Sequence, residues 1–304
     1  MNPLTTEILG IHLSNPLVLP AGLMDVSYGS MLYAAENGAG IVTMKSLTLT
    51  PRPGHPGPVV HEADGVLLNS MGLCNPGIDA GLEEITQFKM RCDTVPVIAS
   101  VFATESDDFV TLAETVNSSD ADFIELNLSC PNVSAEFGVP IAASKESVRE
   151  MVSAVAAVSS KPVLAKLSPN TYNVPEIASA AEAGGADALV LINTLGPGMA
   201  IDIHAERKVL SASFGGLSGP AIKPVAVKLI YQCRQAVSIP IIGMGGVTCG
   251  ADAVELIMAG ASLVGVGSAI YYRGIDVFKK IGAEIMHYCE SKGLASVRDI
   301  RTIE

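Results

Sequence analysis

The sequence predicts one (β/α)₈ barrel, the TIM-barrel architecture, formed by residues 1–304 as a single domain. Eight short apolar runs rich in Val, Ile and Leu recur along the chain and indicate buried strands. Stretches of helical periodicity lie between them, which favours βαβ units and a parallel sheet. Eight such units in about 250 residues match the usual size of this barrel. A doubly wound sheet would use similar units, so the count of eight decides between the two.

The eight predicted strands follow one another at intervals that leave room for a helix. They are residues 17–20, 41–45, 96–101, 123–128, 162–167, 188–192, 239–243 and 263–266. Helical periodicity is clearest in residues 148–158, 174–183, 225–236 and 251–258. Three helix-to-strand joints, ENGAGIV from 36, EAGGADALV from 182 and MAGASLVGV from 258, share a glycine that ends the helix.

Three connections are predicted to be long, namely those after strands two, four and six. They span about residues 46–77, 129–144 and 193–223. Each follows the carboxyl end of a strand, the barrel face that carries active sites. Long aperiodic connections in a compact domain are often lids or binding loops.

The composition indicates a cytoplasmic protein without a nucleic-acid or membrane partner. Hydrophobic residues make up 49% of the chain, and 19 basic against 31 acidic residues give a net charge of −12. Nucleic-acid binders usually show a basic face, and no spanning segment or signal peptide is visible. Six scattered cysteines without a CxxC pair predict no disulfide framework, no metal site and no iron–sulfur cluster held by this chain alone.

Glycine-bearing turns follow the last two strands, GMGGV (243–247) and GVGSA (265–269). In barrels of this type a phosphate often lies on these two loops, bound by backbone N–H groups. Gly245, Gly246 and Gly267 would let the backbone approach an anion, and Ser268 would add a hydroxyl. The alternative is that these glycines serve only tight turns.

Two lysines and one cysteine lie at the ends of other strands. Lys45 and Lys166 follow apolar runs, and an anionic cofactor would account for both, although either could instead extend to solvent. Cys130 lies in NLSCPN, in a polar loop after strand four, flanked by Asn127 and Asn132. Most free cysteines are inert core residues, but this position favours a catalytic role.

Seven motifs together resemble the ordered motif set of class 1 dihydroorotate dehydrogenases. They are NSMGLCNPG (69–77), NLSCPN (127–132), KLSPN (166–170), NTLGPGMAID (193–202), GGLSGPAIKP (215–224), GMGGV and GVGSA. The GGLSGPAIKP stretch is most similar to class 1B, in which the FMN subunit pairs with an iron–sulfur/FAD subunit. The resemblance implies a barrel that binds FMN and oxidises dihydroorotate to orotate in pyrimidine synthesis. It also implies a homodimer at the core of a heterotetramer.

The resemblance assigns Cys130 as the base that removes the C5 proton, while the C6 hydride passes to flavin N5. Substrate contacts are implied for Lys45, Asn69, Ser70, Met71, Gly72, Leu73, Asn127, Asn193 and Thr194. Flavin contacts are implied for Ala21, Lys45, Ser46, Ser100, Asn127, Lys166, Ile192, Gly219, Gly245, Gly246, Gly267 and Ser268. Ser100 departs from the asparagine that many relatives carry, which puts that flavin contact in doubt.

Two other functions remain open on the sequence. One is a related FMN barrel that acts on another dihydropyrimidine, because it would share the cofactor site and a cysteine. The other is a non-catalytic flavin-binding subunit for electron transfer, against which the intact Cys130 and its flanking asparagines argue. The electron acceptor is also open, since the homodimeric subclass uses fumarate.

Overall fold

A computed structural model describes residues 2–129 and 144–303 of the protein. The chain begins with an antiparallel hairpin of β1 (Thr6–Ile8) and β2 (Ile11–Leu13). Ile8 and Leu13 are buried in the same apolar cluster as the inward side chains of the barrel strands. The hairpin therefore closes the end of the barrel at which the strands begin.

The eight predicted strands form a closed parallel barrel, which confirms the fold class. In chain order the barrel strands are β3 (Leu17–Leu19), β4 (Ile41–Leu47), β7 (Val97–Val101), β8 (Phe123–Asn127), β9 (Val163–Lys166), β10 (Ala188–Leu191), β15 (Ile241–Met244) and β16 (Leu263–Gly265). Each strand pairs in parallel with the next, and β16 pairs with β3 to close the ring.

Helices surround the barrel and bury their apolar faces against its outer surface. They are α1 (Tyr28–Glu36), α2 (Ile78–Lys89), α3 (Ser106–Asn117), α4 (Lys145–Ala156), α5 (Val174–Ala183), α6 (Lys223–Ala236), α7 (Gly250–Met258), α8 (Ala269–Arg273) and α9 (Val277–Lys292), with 3₁₀ turns at Pro220–Ile222 and Val297–Asp299. Phe88, Phe109 and Phe278 are almost fully buried in this outer core. Each contributes about 1.5–3 kcal/mol through removal of its ring from water.

Two of the predicted long connections carry strands that the sequence analysis did not anticipate. The connection after β4 forms β5 (Val60–Ala63) and β6 (Val66–Asn69). The connection after β10 forms β11 (Leu195–Gly198), β12 (Ile201–Asp202), β13 (Arg207–Lys208) and β14 (Gly215–Ser218). An antiparallel sheet in the order β11-β14-β6-β5, here called the cap sheet, joins the two connections. Most of the third predicted connection lies outside the described residues.

The inside of the barrel changes from apolar to polar along the strands. Because side chains alternate along a strand, residues two apart point to the same face. Phe123 and Leu164 belong to the apolar cluster inside the barrel, so Glu125, Asn127 and Lys166 follow them on the same inward face. The polar layer therefore lies at the carboxyl ends of the strands, beneath the cap sheet.

The described helices also bear on membrane association. None of them combines the length and the apolar character required to cross a lipid bilayer.

Candidate active site

A cavity of about 320 Å³ opens at the carboxyl ends of the barrel strands, beside the cap sheet. That volume is in the range of small-molecule sites. Sixteen of the residues that the sequence assigned to substrate or cofactor line it: Ala21, Lys45, Ser46, Asn69, Met71, Gly72, Leu73, Asn127, Lys166, Ile192, Asn193, Thr194, Gly245, Gly246, Gly267 and Ser268. Residues almost 250 positions apart are thus brought to one place.

Two buried lysines form the cationic wall of the cavity. Lys45 is 8% exposed and Lys166 is 3% exposed, and both line the cavity. Lys166 Nζ lies 3.8 Å from Glu125 Oε1, and both side chains are nearly inaccessible to water. Lys45 and Lys166 bring two ammonium groups to this wall, which suits an anionic ligand, and the buried carboxyl groups of Glu125 and Asp25 lie near them.

A buried carboxyl group lies beside the end of the first barrel strand. Asp25 is 2% exposed, and its Oδ2 accepts a hydrogen bond from the Gly22 N–H at 2.5 Å. Burial raises the pKa of Asp25, and the charge of Lys45 opposes that rise only in part. The backbone carbonyl of Asp25 accepts from the Lys45 N–H at 2.9 Å, so this segment fixes the backbone from which the lysine projects.

Three asparagine amides face the cavity, and each is held by the protein. Asn69 donates to the Gly216 carbonyl at 3.3 Å, across the pair of cap strands β6 and β14. Asn127 donates to the Ser46 hydroxyl at 3.0 Å. Asn193 donates to the Ser129 hydroxyl at 2.7 Å. Amides fixed in this way can donate and accept in set directions, which suits a ligand with carbonyl and carboxylate oxygens.

The glycine turn after β15 brings backbone to the cavity. Gly245 and Gly246 have φ angles of +128° and +75°, which side chains other than glycine rarely adopt. A Cβ at Gly246 would lie 2.7 Å from the backbone nitrogen of Lys223. Gly267 and Ser268 line the same end of the cavity. The backbone N–H groups of both turns can therefore approach an anion, as a phosphate site requires.

The segment after β6 forms the opposite wall. Met71, Gly72 and Leu73 line the cavity, and Gly72 has a φ of +71°. A Cβ on Gly72 would lie 2.7 Å from Cδ2 of His55. The ring of His55 also contacts Ser70 through Nδ1, 3.1 Å from the hydroxyl. His55, which was given no role from the sequence, thus packs against this segment without lining the cavity.

Four residues assigned from the sequence are not among the lining residues. Ser70 is 1% exposed and contacts His55 instead of the cavity. Ser100 is fully buried and donates to Glu125 Oε1 at 2.7 Å. Gly219 follows the lining residue Ser218, and a Cβ there would meet the Gly65 carbonyl oxygen at 2.6 Å. Cys130, the predicted base, lies outside the described residues.

Several residues of this site were not predicted from the sequence. The further lining residues are Pro20, Gly22, Leu23, Val60, Leu67, Ser218, Ile222, Met244, Val247, Gly265 and Tyr271. Glu125 was also missed, although its signal was present: a carboxylate in the apolar strand FIELN, two residues before Asn127, must point inward. Within residues 2–129 and 144–303, no group of His, Cys, Asp and Glu could hold a metal ion.

Comparisons with known proteins agree on one family. A family model described as dihydroorotate dehydrogenase matches residues 3–288. A curated relative from Methanothermobacter thermautotrophicus is 44% identical over 297 residues, which are 98% of this chain and 97% of the relative. Relatives from Pyrococcus furiosus (44% identical, 97% of this chain and 96% of the relative) and Thermoplasma acidophilum (43%, 99% and 98%) are similar to the same extent. All three are named dihydroorotate dehydrogenase B (NAD(+)), catalytic subunit.

Proposed function

The chain belongs to the dihydroorotate dehydrogenase family, and we propose that it oxidises (S)-dihydroorotate to orotate in pyrimidine synthesis with FMN as its cofactor. One observation carries the proposal: buried lysines, fixed amides and glycine turns line the same cavity at the catalytic end of the barrel. The relatives named above carry the name of this enzyme over almost the full length of the chain.

The described residues fit FMN. The turns with Gly245, Gly246 and Gly267 present backbone N–H groups to a phosphate, and Ser268 adds a hydroxyl. Lys166 is the cation for the N1/O2 edge, where reduced flavin gains negative charge. The other residues proposed to contact the cofactor are Ala21, Lys45, Ser46, Asn127, Ile192 and Gly219. When bound, FMN supplies N5 as the acceptor of the hydride from substrate C6.

The residues proposed to hold the substrate line the same cavity, and Lys45 and Asn127 belong to both sets. Asn69, Asn127, Asn193 and Thr194 bind the pyrimidine ring and carboxylate together with Lys45, Ser70 and the backbone of residues 71–73. Dihydroorotate carries a carboxylate and a cyclic imide, so it needs both donors and acceptors. A lysine at this wall also offsets the charge of the carboxylate when water is excluded.

Cys130 is proposed as the base for the proton at C5. Its thiolate takes that proton while the hydride leaves C6, so that the C5–C6 double bond of orotate forms. Asn127, three residues before Cys130, belongs to the cavity wall. This position in the sequence supports the assignment, together with the motif NLSCPN.

The electrons are proposed to pass to a second subunit. The relatives are named as catalytic subunits of an NAD(+) enzyme, which supports a partner subunit. The resemblance of GGLSGPAIKP to class 1B supports FAD and an iron–sulfur cluster in that partner. A homodimer of this chain with two such partners gives the proposed heterotetramer.

Anaerobic reduction tests the proposal. The purified protein should be yellow, and dihydroorotate should bleach the flavin absorbance, whereas dihydrouracil, which lacks the carboxylate, should act far more slowly. A protein that binds FMN but is not reduced by dihydroorotate would refute the function. Cys130→Ala should slow bleaching by about 100-fold or more with FMN still bound. Cys74→Ala is the matched control, because that cysteine is exposed; equal rates in both variants would exclude Cys130 as the base.

A further inference from the structure

A continuous chain of buried hydrogen bonds runs beneath the cavity from Glu125 to Asn193. Ser100 Oγ donates to Glu125 Oε1 at 2.7 Å, and Ser46 Oγ lies 2.9 Å from Ser100 Oγ. Asn127 Nδ2 donates to Ser46 Oγ at 3.0 Å. The first four residues of this hydrogen-bonded chain lie on the barrel strands β8, β7 and β4, and each is no more than 5% exposed: Glu125, Ser100, Ser46 and Asn127.

The same chain continues on the other side of Asn127. The Ser129 hydroxyl donates to Asn127 Oδ1 at 2.9 Å, and the Ser129 N–H donates to the same oxygen at 3.3 Å. Asn193 Nδ2 in turn donates to the Ser129 hydroxyl at 2.7 Å. Two of the amides that line the cavity are therefore links in one chain.

The Glu125 carboxylate sets the direction of the bonds between itself and Asn127, and the Ser129 N–H, which can only donate, favours the same orientation of the Asn127 amide. A carboxylate that faces an ammonium group only accepts hydrogen bonds, and a serine hydroxyl has a single hydrogen to donate. Ser100 gives its hydrogen to Glu125, so it must accept from Ser46. The hydroxyl of Ser46 is then committed as a donor and can only accept from Asn127, which turns the Nδ2 of that amide toward Ser46.

This direction decides what the Asn127 amide presents to a ligand. Asn127 Oδ1 already accepts two hydrogen bonds, and one N–H of Nδ2 is donated to Ser46. Among the described residues, the group of Asn127 that remains for a ligand is therefore the second N–H of Nδ2. Asn193 Nδ2 lies within hydrogen-bond distance of both the Ser129 hydroxyl, at 2.7 Å, and the Ser129 carbonyl, at 3.4 Å. At Asn127 the cavity therefore offers an N–H donor, which suits a carbonyl or carboxylate oxygen of a ligand.

We propose that Glu125 and Ser100 are positioning residues, which orient the Asn127 amide so that its free N–H faces the substrate. The inference rests on the proposed function, because it assigns that N–H to an oxygen of dihydroorotate or orotate. It also gives Ser100 a role that needs no contact with the flavin. An asparagine at position 100 would keep the same direction, since its amide donates through nitrogen and accepts through oxygen.

Orotate binding to the FMN-loaded protein tests the proposal without turnover. Orotate is titrated into wild type and into four variants, Ser100→Thr, Ser100→Val, Ser100→Ala and Glu125→Gln, and the change in the flavin spectrum is followed. Threonine keeps the hydroxyl and valine has the same shape without it. The expected result is a dissociation constant within about threefold of wild type for Ser100→Thr, and one raised about tenfold for Ser100→Val and Ser100→Ala, equivalent to about 1.4 kcal/mol.

Glu125→Gln distinguishes direction from packing, because glutamine has nearly the same shape. Its amide turns its oxygen to Lys166 and its nitrogen to Ser100. The hydroxyls of Ser100 and Ser46 would then donate toward Asn127 and oppose the orientation of its amide, which should also weaken orotate binding about tenfold. Ser168→Ala is the matched control: its hydroxyl is similarly buried at the same barrel end and accepts from the Asn170 N–H at 3.1 Å. It should leave orotate binding within about twofold of wild type.

A second measurement separates positioning from general damage to the fold. FMN affinity of the apoprotein, measured by quenching of flavin fluorescence, should stay within about threefold of wild type in Ser100→Val. Unchanged orotate binding in Ser100→Val and Glu125→Gln, or an equal loss in Ser168→Ala, would overturn the proposal. If the wild-type protein itself bound FMN but no orotate, the proposed function would fail instead.

Discussion

The substitution Gly216→Ala should impair the active site through its contact with the lining residue Thr194, although Gly216 itself does not line the cavity. Gly216 lies in cap strand β14, and a Cβ there would be 2.0 Å from Thr194 Oγ1 and 2.6 Å from Thr194 Cβ. Ordinary contact begins at 3.4 Å, so the hydroxyl must retreat by about 1.4 Å. Rotation of the threonine does not relieve the contact with its Cβ, and therefore the backbone must move.

The magnitude follows from the displacement. Overpacking of this kind costs about 1–3 kcal/mol of folding stability. A shift of about 1 Å in a ligand-binding group can lower the rate by about 100-fold. Gly216→Ala should therefore reduce kcat/KM for dihydroorotate by about 10- to 100-fold, measured with an artificial electron acceptor, while FMN content stays at the wild-type level.

Gly198→Ala is the matched control for that variant. Gly198 lies in β11 of the same cap sheet, and a Cβ there would meet Leu217 Cδ1 at 2.7 Å and Leu68 Cδ1 at 3.4 Å. Both atoms are ends of flexible side chains, which can turn aside. The control should keep most of its activity. Wild-type kinetics in Gly216→Ala, or an equal loss in Gly198→Ala, would refute the steric argument.

Three further predictions concern the cofactor turn, acid stability and thiol reactivity. Gly246→Ala should lose FMN on gel filtration, because φ is +75° and the new Cβ would lie 2.7 Å from the Lys223 nitrogen; full flavin content would contradict this. Burial alone would raise the pKa of Asp252, but hydrogen bonds, that of Lys223 foremost, lower it to about 2. The folded state thus gains stability above the unfolded pKa near 3.8. The free energy of unfolding, from urea titrations, should fall by on the order of 1–2 kcal/mol from pH 5 to pH 2, and this part should be absent in Asp252→Asn. Burial raises the pKa of Cys233 to about 12, so iodoacetamide at pH 8 should label exposed Cys74 before Cys233, as mass spectrometry of the native protein would show.

The barrel could be predicted from the sequence because its signals are local. Each buried parallel strand is a short run of apolar residues, and each glycine joint marks the end of a helix within a few positions. All eight predicted strands are present, with ends shifted by one or two residues, as at β15 (Ile241–Met244) against the predicted 239–243. The turns with Gly246 and Gly267 were found for the same reason.

The cap sheet could not be predicted because its pairing is not local. Strands β6 and β14 lie about 150 residues apart. GGLS shows no strand pattern alone, and the short apolar run VLLN does not indicate which segment it pairs with. The contact of Ser70 with His55, and the hydrogen bond from Ser100 to Glu125 across barrel strands β7 and β8, also depend on pairing between distant segments. Sequence position placed these serines near the cavity but could not give the direction of their side chains.

The cap sheet also constrains how this barrel end can diversify. Its two halves come from separate insertions, and the pair of Asn69 and Gly216 sets their register. A shift of register by one residue would turn every side chain of a strand to the opposite face. An insertion exchanged alone would meet an unmatched neighbour, so the exchange of one connection requires a matching change in the other, while the barrel beneath stays as it is.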